Sequence, residues 1–276
     1  MSGHRLIQNF YIRRIFRIYP LSVVCIGVVL LFHIPSGLNS EIFSWKEIAA
    51  NLLLVQNLHP YRSVSASLWS LPFEVQMYLM LPAIFFLLKR VPSKLTVLVL
   101  WVAVCGAQPL APQLLEYAPC FLGGVFAYQL AKERTFALPS WVLPTSMSFL
   151  FVLYVLLKFT VLPDSRSDYL LCMFLGGIIP NVTEFKRSWL TSTCQVLAKY
   201  SYGIYLGHAL VFWLCFVKLS FLPIAARLSL MIPLMFIVPF AAYKIIEAPS
   251  VALGRRLACG LRPMQEPNTV ARDFRR

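Results

Sequence analysis

Three arginines occur within five positions near the start of the chain, in the segment "FYIRRIFRIYP" at residues 10–20. Arg13 and Arg17 are four residues apart, which places them on one side of a helix, and Arg14 lies beside them. A guanidinium group is planar and binds a phosphate through two parallel hydrogen bonds. The cluster therefore indicates a phosphate-binding site where an apolar helix begins. The alternative is that the arginines only anchor the helix at the membrane surface through lipid headgroups.

A second polar group lies in "SLWSLPFEVQMYLMLP" at residues 67–82. Ser67, Ser70, Glu74 and Tyr78 follow the spacing i, i+3, i+7 and i+11, which predicts one polar stripe on an otherwise apolar helix. A carboxylate at the centre of a membrane costs about 2.5–3.5 kcal/mol on insertion scales, so it should face a partner or a water-filled cavity. Either Glu74 has a structural role and is hydrogen-bonded to a neighbouring helix, or it has a functional role.

A third group lies in "YSYGIYLGHALVFW" at residues 200–213. Ser201, Tyr205 and His208 are spaced by four and three residues, and Tyr202 neighbours this face. Histidine is the usual acid or base near neutral pH, which makes His208 a candidate catalytic residue. The alternative is a hydrogen-bonded histidine in the core of a helix bundle.

The composition places these groups in a membrane. The chain has 276 residues, of which 59% are hydrophobic and only 13% charged, and this is typical of an integral membrane protein. A net charge of +14 would suggest nucleic acid in a soluble protein, but here the basic residues lie in short connections between apolar runs. We therefore expect membrane lipids and no nucleic acid as partners. The seven cysteines contain no CxxC pair, so no metal site is expected.

Apolar runs long enough for spanning helices predict an all-α, multi-pass transmembrane bundle with about eight spans. The runs are residues 18–34, 70–88, 95–110, 113–131, 141–160, 168–183, 199–218 and 224–247. We take the first run as a retained helix, and a cleaved signal peptide is the alternative. Residues 1–262 form one membrane domain in this interpretation, and residues 263–276 form a basic cytosolic tail.

The basic residues also predict the orientation of the bundle. When the chain is threaded from a cytosolic N-terminus, 19 of the 25 Lys and Arg residues lie on the cytosolic side. The remaining six are Lys46, Arg62, Lys158, Arg166, Lys218 and Arg227. Both termini should then be cytosolic. The longest external connection, residues 35–69, contains "SWKEIAANLLLVQNLH", which indicates an amphipathic or re-entrant segment where a non-cytosolic substrate is met.

Taken together, these segments resemble the acyltransferase 3 family of multi-pass membrane O-acyltransferases. The resemblance is strongest in "FYIRRIFRIYP", "SLWSLPFEVQMYLMLP" and "SYGIYLGH", and it extends to "YAPCFLGGVFAYQLA" and "YKIIEAPSVALGRRL". Their order and spacing match the family, whereas the middle of the chain matches only as generic helices.

The resemblance implies transfer of an acyl group, commonly acetyl, from cytosolic acyl-CoA to a hydroxyl of a glycan or other acceptor at the opposite face. Acyl-CoA is then a co-substrate, and no cofactor is expected. A bacterial cytoplasmic (inner) membrane is the expected location. Arg13, Arg14 and Arg17 match the motif that would meet the phosphates of coenzyme A.

The resemblance also implies the remaining site residues. Glu74 matches the carboxylate of the family's second motif, and Glu247 matches a C-terminal position. His208 and Glu74 are the expected catalytic residues. The residues expected to line the substrate cavity are Trp69, Ser70, Tyr78, Tyr202 and Tyr205.

One departure from the family concerns the acceptor hydroxyl. Family members carry a helical pair before the basic motif, and its first helix bears an arginine and a histidine thought to activate that hydroxyl. This chain begins just short of the basic motif, so we expect little transfer by the chain alone unless His208 replaces that base. The alternative function is an inactive, truncated relative that acts as a scaffold or a permease-like bundle.

Overall fold

The computed structural model describes residues 3–34, 42–59, 61–133, 136–160, 166–186 and 188–260. The tail predicted at residues 263–276 lies outside these ranges. The α-helices are α1 (Gly3–Leu31), α2 (Trp45–Leu53), α3 (Leu71–Arg90), α4 (Lys94–Ala107), α5 (Pro112–Leu115), α6 (Ala118–Lys132), α7 (Val142–Thr160), α8 (Arg166–Ile178), α9 (Trp189–Trp213), α10 (Ile224–Ala242) and α11 (Ala248–Gly260). Short 3₁₀ turns occupy Gln56–Leu58, Ala66–Leu68, Gln108–Leu110 and Ile179–Asn181, and π-helical turns occupy Leu214–Lys218 and Tyr243–Glu247.

The predicted all-α class is confirmed, and each of the eight apolar runs contains a helix. Within the described ranges, four helices are long and apolar enough to cross a membrane: Arg5–Leu31, Ala66–Arg90, Trp189–Lys218 and Ile224–Gly260. Two shorter apolar helices are Lys94–Leu110 and Val142–Leu156. Helices α6 and α8 have 15 and 13 residues, less than the roughly 20 that a straight span requires.

Large apolar side chains cover the outside of the helices. Leu79 on α3, Phe149 on α7 and Phe236 on α10 are 61%, 67% and 62% exposed. In water such a surface would be unfavourable, whereas lipid tails solvate it without cost. The chain is therefore an integral membrane protein.

The helices divide into two compact units, each of which we describe by itself. The first unit comprises Met1–Pro35 and Tyr200–Arg276. Within it, α9 packs on α10 through Gly203 and Gly207, because a Cβ at Gly203 would lie only 3.1 Å from Cα of Pro239. Two glycines four residues apart let membrane helices approach closely, and van der Waals packing then holds them together.

The second unit comprises Ser36–Lys199, and its helices α6 and α8 pack closely. A Cβ at Gly123 would lie 2.5 Å from the carbonyl oxygen of Cys172, and a Cβ at Gly176 would meet the carbonyl group of Gly123. The two backbones are therefore in direct contact. Only glycine at positions 123 and 176 allows this approach.

The connection predicted to be amphipathic is ordered around Asn51. Its Nδ2 donates to the carbonyl oxygens of Glu47 and Arg62, both at 2.8 Å, and its Oδ1 accepts from the backbone N–H of Val64 at 2.9 Å. Helix α2 buries Glu47 and Asn51 and exposes Trp45. The segment is thus amphipathic, with its polar side turned inward. The re-entrant alternative stays a prediction.

A capping box and an ion pair hold the start of α2. Glu47 accepts from the backbone N–H of Ser44 at 2.8 Å, while the Ser44 hydroxyl accepts from the backbone N–H of Glu47. Arg62 Nε donates to the same carboxylate at 2.8 Å. The hydrogen bonds from Arg62 and then from Ser44 lower the pKa of Glu47 from 4.5 to about 2.

We expect Gly123→Ala to destabilise the chain by about 1–3 kcal/mol, because the added methyl group meets the backbone of α8. The matched control is Gly124→Ala, since a Cβ at Gly124 meets nothing within 4 Å. Alanine favours a helix over glycine, so the control should be neutral or slightly stabilising. The measurement is the thermal unfolding midpoint of the purified chain in detergent. Equal midpoints for the two variants would contradict the contact.

The Glu47 carboxylate should give a stability contribution that depends on pH. Because its pKa is lower in the folded chain, the contribution is complete above about pH 4.5 and is lost as the pH falls toward 2. Glu47→Gln keeps the cap but removes the charge, so it should lower the unfolding midpoint at pH 7 and much less at pH 3. The control is Glu133→Gln, which breaks only an exposed pair with Lys94. A pH-independent difference for Glu47→Gln would refute this account.

Candidate functional site

The arginine cluster predicted at the start of the chain lines a cavity of about 560 Å³ in the first unit. Arg13, Arg14 and Arg17 come from α1, and a fourth arginine, Arg255, comes from α11. Apolar parts of the wall are formed by Leu6, Phe10 and Val251. Below, "the arginine cavity" means this cavity.

The contact between α1 and α11 brings Arg255 to the arginine cavity. A Cβ at Gly254 would lie 2.6 Å from Cβ of Phe16, so the absence of a side chain at Gly254 lets the helices touch. Phe16 directly precedes Arg17, and Gly254 directly precedes Arg255. The sequence analysis did not include Arg255 in the site. The signal in the sequence is the "GRRL" segment of the C-terminal motif, whose two arginines also fit the role of orientation charges.

The guanidinium groups of the cavity differ in their surroundings. Arg14 is half-buried and lies over the ring of Phe10, with 5.5 Å between its Cζ and the ring centroid. Arg13 and Arg255 are exposed and have no hydrogen bond or ion pair with any residue that the structure describes. These two groups therefore have donors available for an anion.

Two buried acceptors lie near the arginines. Asn9 lies one helical turn before Arg13, lines the arginine cavity and is 7% exposed. Its Oδ1 has no hydrogen-bond partner among the residues that the structure describes. Glu247, in the π-helical turn between α10 and α11, is also 7% exposed, and within the described part of the chain its Oε2 has no hydrogen-bond partner. Arg17 is near enough to act on the Glu247 carboxylate electrostatically. Isolated π-turns often mark functional positions in membrane and soluble helices.

The polar face of α9 lies in the same unit. His208 is half-buried, and its Nδ1 lies 2.6 Å from the carbonyl oxygen of Tyr205. A carbonyl oxygen only accepts, so Nδ1 carries the hydrogen and the lone pair of the neutral ring is on Nε2. The Tyr205 and His208 rings are 6.1 Å apart, and Phe212 packs edge-on against His208 at 6.2 Å. Nε2 is therefore the basic atom of this face.

The Tyr202 hydroxyl lies at the contact between α1 and α9, and the expected cavity-lining role of this residue stays a prediction. Its hydroxyl donates to the carbonyl oxygen of Ile18 on α1 at 2.7 Å. Cys25 on α1 also contacts α9, because its Sγ lies 3.7 Å from the carbonyl oxygen of Leu206. These two bonds join α1 to α9, so the Tyr202 hydroxyl has a structural partner.

The other predicted residues lie in the second unit. The Tyr78 hydroxyl donates to the Glu74 carboxylate one turn earlier on α3, and Glu74 is half-buried. Ser70 is the N-cap residue of α3, whereas Ser67 lies in the preceding 3₁₀ turn, so the polar stripe is not one continuous α-helix. The exposed Trp69 ring packs edge-on against Tyr117 at 5.5 Å.

The predicted sites are therefore found in two groups. The arginines, Tyr202, Tyr205, His208 and Glu247 belong to the first unit, and Trp69, Ser70, Glu74 and Tyr78 to the second. The described part of the chain contains no group of three or more His, Cys, Asp or Glu residues that fits a metal ion.

The family of the chain follows from its sequence as a whole. The model of an acyltransferase domain, that of the acyltransferase 3 family, matches residues 1–244. The chain belongs to this family of membrane acyltransferases. No curated protein and no solved structure matches it.

Proposed function

We propose that this chain transfers an acyl group, in the first instance acetyl, from cytosolic acyl-CoA to a hydroxyl of a glycan or other acceptor on the opposite face of the membrane. The observation that carries the proposal is the arginine cavity, where two helices place four guanidinium groups around about 560 Å³. The family assignment supports acyl transfer in general. The arginine cavity supports acyl-CoA as the donor of the acyl group.

Electrostatics favour a ligand with several phosphates in this cavity. Four like charges repel one another, and an anion between them removes that repulsion and accepts hydrogen bonds from their planar donors. Coenzyme A presents a pyrophosphate and a separate phosphomonoester, whereas most lipid headgroups present one phosphodiester. Asn9 Oδ1, in the same wall, has no hydrogen-bond partner among the described residues, which suits a ligand that also has N–H or O–H donors, as a nucleotide does.

The reaction needs a base for the acceptor hydroxyl and donors for the developing oxyanion. The hydroxyl oxygen attacks the thioester carbonyl carbon, the C–S bond breaks, and coenzyme A leaves as a thiolate. We assign the hydroxyl proton to Nε2 of His208, because Nδ1 is held by Tyr205. Glu74, already hydrogen-bonded to Tyr78, is the second proposed catalytic residue.

The proposed location is a bacterial cytoplasmic membrane with both termini in the cytosol. The distribution of basic residues supports this orientation, since 19 of 25 lie on one side of the threaded chain. The arginine cavity is then on the cytosolic side, where acyl-CoA is available. Scaffolding or permease-like function is the alternative, and neither requires recognition of coenzyme A.

Replacing Arg13, Arg14 and Arg17 together with Gln should weaken acetyl-CoA binding by about 100-fold or more, because several charge-assisted hydrogen bonds are lost. Lysine at the three positions keeps the charge without the bidentate geometry and should restore binding only in part. Binding is measured by calorimetry on the full chain in zwitterionic nanodiscs.

The control for this experiment removes the same amount of charge elsewhere, with Lys89, Arg90 and Lys94 all replaced by Gln. These residues flank the connection between α3 and α4 and do not line the arginine cavity. Binding should stay unchanged in the control. Normal binding by a correctly inserted Arg13/Arg14/Arg17 variant would show that the arginines only anchor α1.

His208→Gln should lower acetyl transfer by about 10²- to 10⁴-fold, the usual loss for a general base, and should leave acetyl-CoA binding unchanged. Transfer is followed with labelled acetyl-CoA in membranes. His59→Gln is the control, because His59 is an exposed histidine stacked on Tyr61. Full transfer by the His208 variant would remove this residue from the mechanism.

A further inference from the structure

Arg255 differs from the other arginines of the cavity because it comes from a second helix. We propose that Arg255 binds the 3′-phosphate of coenzyme A, while the arginines of α1 bind its pyrophosphate. This inference rests on the proposed function and adds a residue that distinguishes the complete nucleotide from one without this phosphate.

The shape of the ligand requires donors on two walls. In coenzyme A the pyrophosphate and the 3′-phosphate leave the same ribose from different carbon atoms and point in different directions. Arg13, Arg14 and Arg17 lie along one stretch of α1, whereas Arg255 reaches the same cavity from α11. A phosphomonoester carries nearly two negative charges at neutral pH and is a strong acceptor for a guanidinium fork.

The position of Arg255 is built into the packing of the helices. Gly254 contacts Phe16 of α1, and this contact lies one residue from both Arg255 and Arg17. Arg255 makes no hydrogen bond or ion pair with the residues described in the structure, so none of these residues occupies its guanidinium donors. Its neighbour Arg256 is also exposed but is turned about 100° around the helix and does not line the cavity.

The test compares coenzyme A with 3′-dephospho-coenzyme A, using calorimetry on the full chain in zwitterionic nanodiscs. The wild-type chain should prefer coenzyme A by about 10- to 100-fold, which corresponds to one good charge-assisted contact. In Arg255→Gln the affinity for coenzyme A should fall to that for the dephospho compound, which should bind as it does to the wild type. Arg256→Gln is the matched control and should keep the full preference.

Two further variants separate the role of the guanidinium from its placement. Arg255→Lys keeps a charge without the planar fork, so a reduced preference is expected. Gly254→Leu forces α11 away from Phe16, so the preference should fall although Arg255 is still present. Retained binding of the dephospho compound shows in each case that the chain is folded.

The outcomes distinguish this inference from the proposed function. If the wild-type chain binds neither compound, the proposed function fails. If it binds both equally, the role of Arg255 is refuted while coenzyme A recognition stands. Equal weakening of both compounds in Arg255→Gln, or an equal loss of preference in Arg256→Gln, also overturns the assignment.

Discussion

The contact between Gly254 and Phe16 determines how the cationic site of this protein is assembled. Lipid offers membrane helices no hydrophobic gain from association, so they depend on close van der Waals packing and on interhelical hydrogen bonds. A glycine on α11 supplies the close approach, and the neighbouring residue then faces the arginines of α1. Gly203 and Gly207 likewise allow a close approach between α9 and α10, and Gly123 allows one between α6 and α8. At Gly254 this close approach also brings arginines of two helices to one cavity.

The arginines gathered in this way share one cavity, which distinguishes their arrangement from that of isolated anchoring charges. Basic residues that only orient a membrane helix need no particular partner, and they reach the headgroups independently. In the first unit the guanidinium groups instead surround one cavity, with the buried carboxylate of Glu247 close enough to act on Arg17. A polyphosphate ligand in this cavity stays a proposal, and the observation behind it is that four guanidinium groups line one cavity.

Much of the fold and part of the site could be predicted because they depend on local periodicity. Runs of apolar residues indicate helices, and a four-residue spacing places side chains on one face. This is why Arg13 and Arg17 line the same cavity, and why Tyr78 bonds to Glu74. The amphipathic pattern of α2 was also visible. The sequence did not show that the polar side of α2 is buried, because Asn51 bonds to Arg62 and Val64, which lie beyond the helix.

The sequence by itself determined an all-α membrane protein, its family, and a cluster of arginines at the start of α1. Only the tertiary structure decided that Arg255 joins this cluster and that Glu247 lies near Arg17. It also decided that the Tyr202 hydroxyl donates a hydrogen bond to Ile18 of α1. These contacts join residues more than 180 positions apart, and they depend on the rotation and approach of whole helices. Helical periodicity contains no information about either, because it specifies a face without specifying what that face meets.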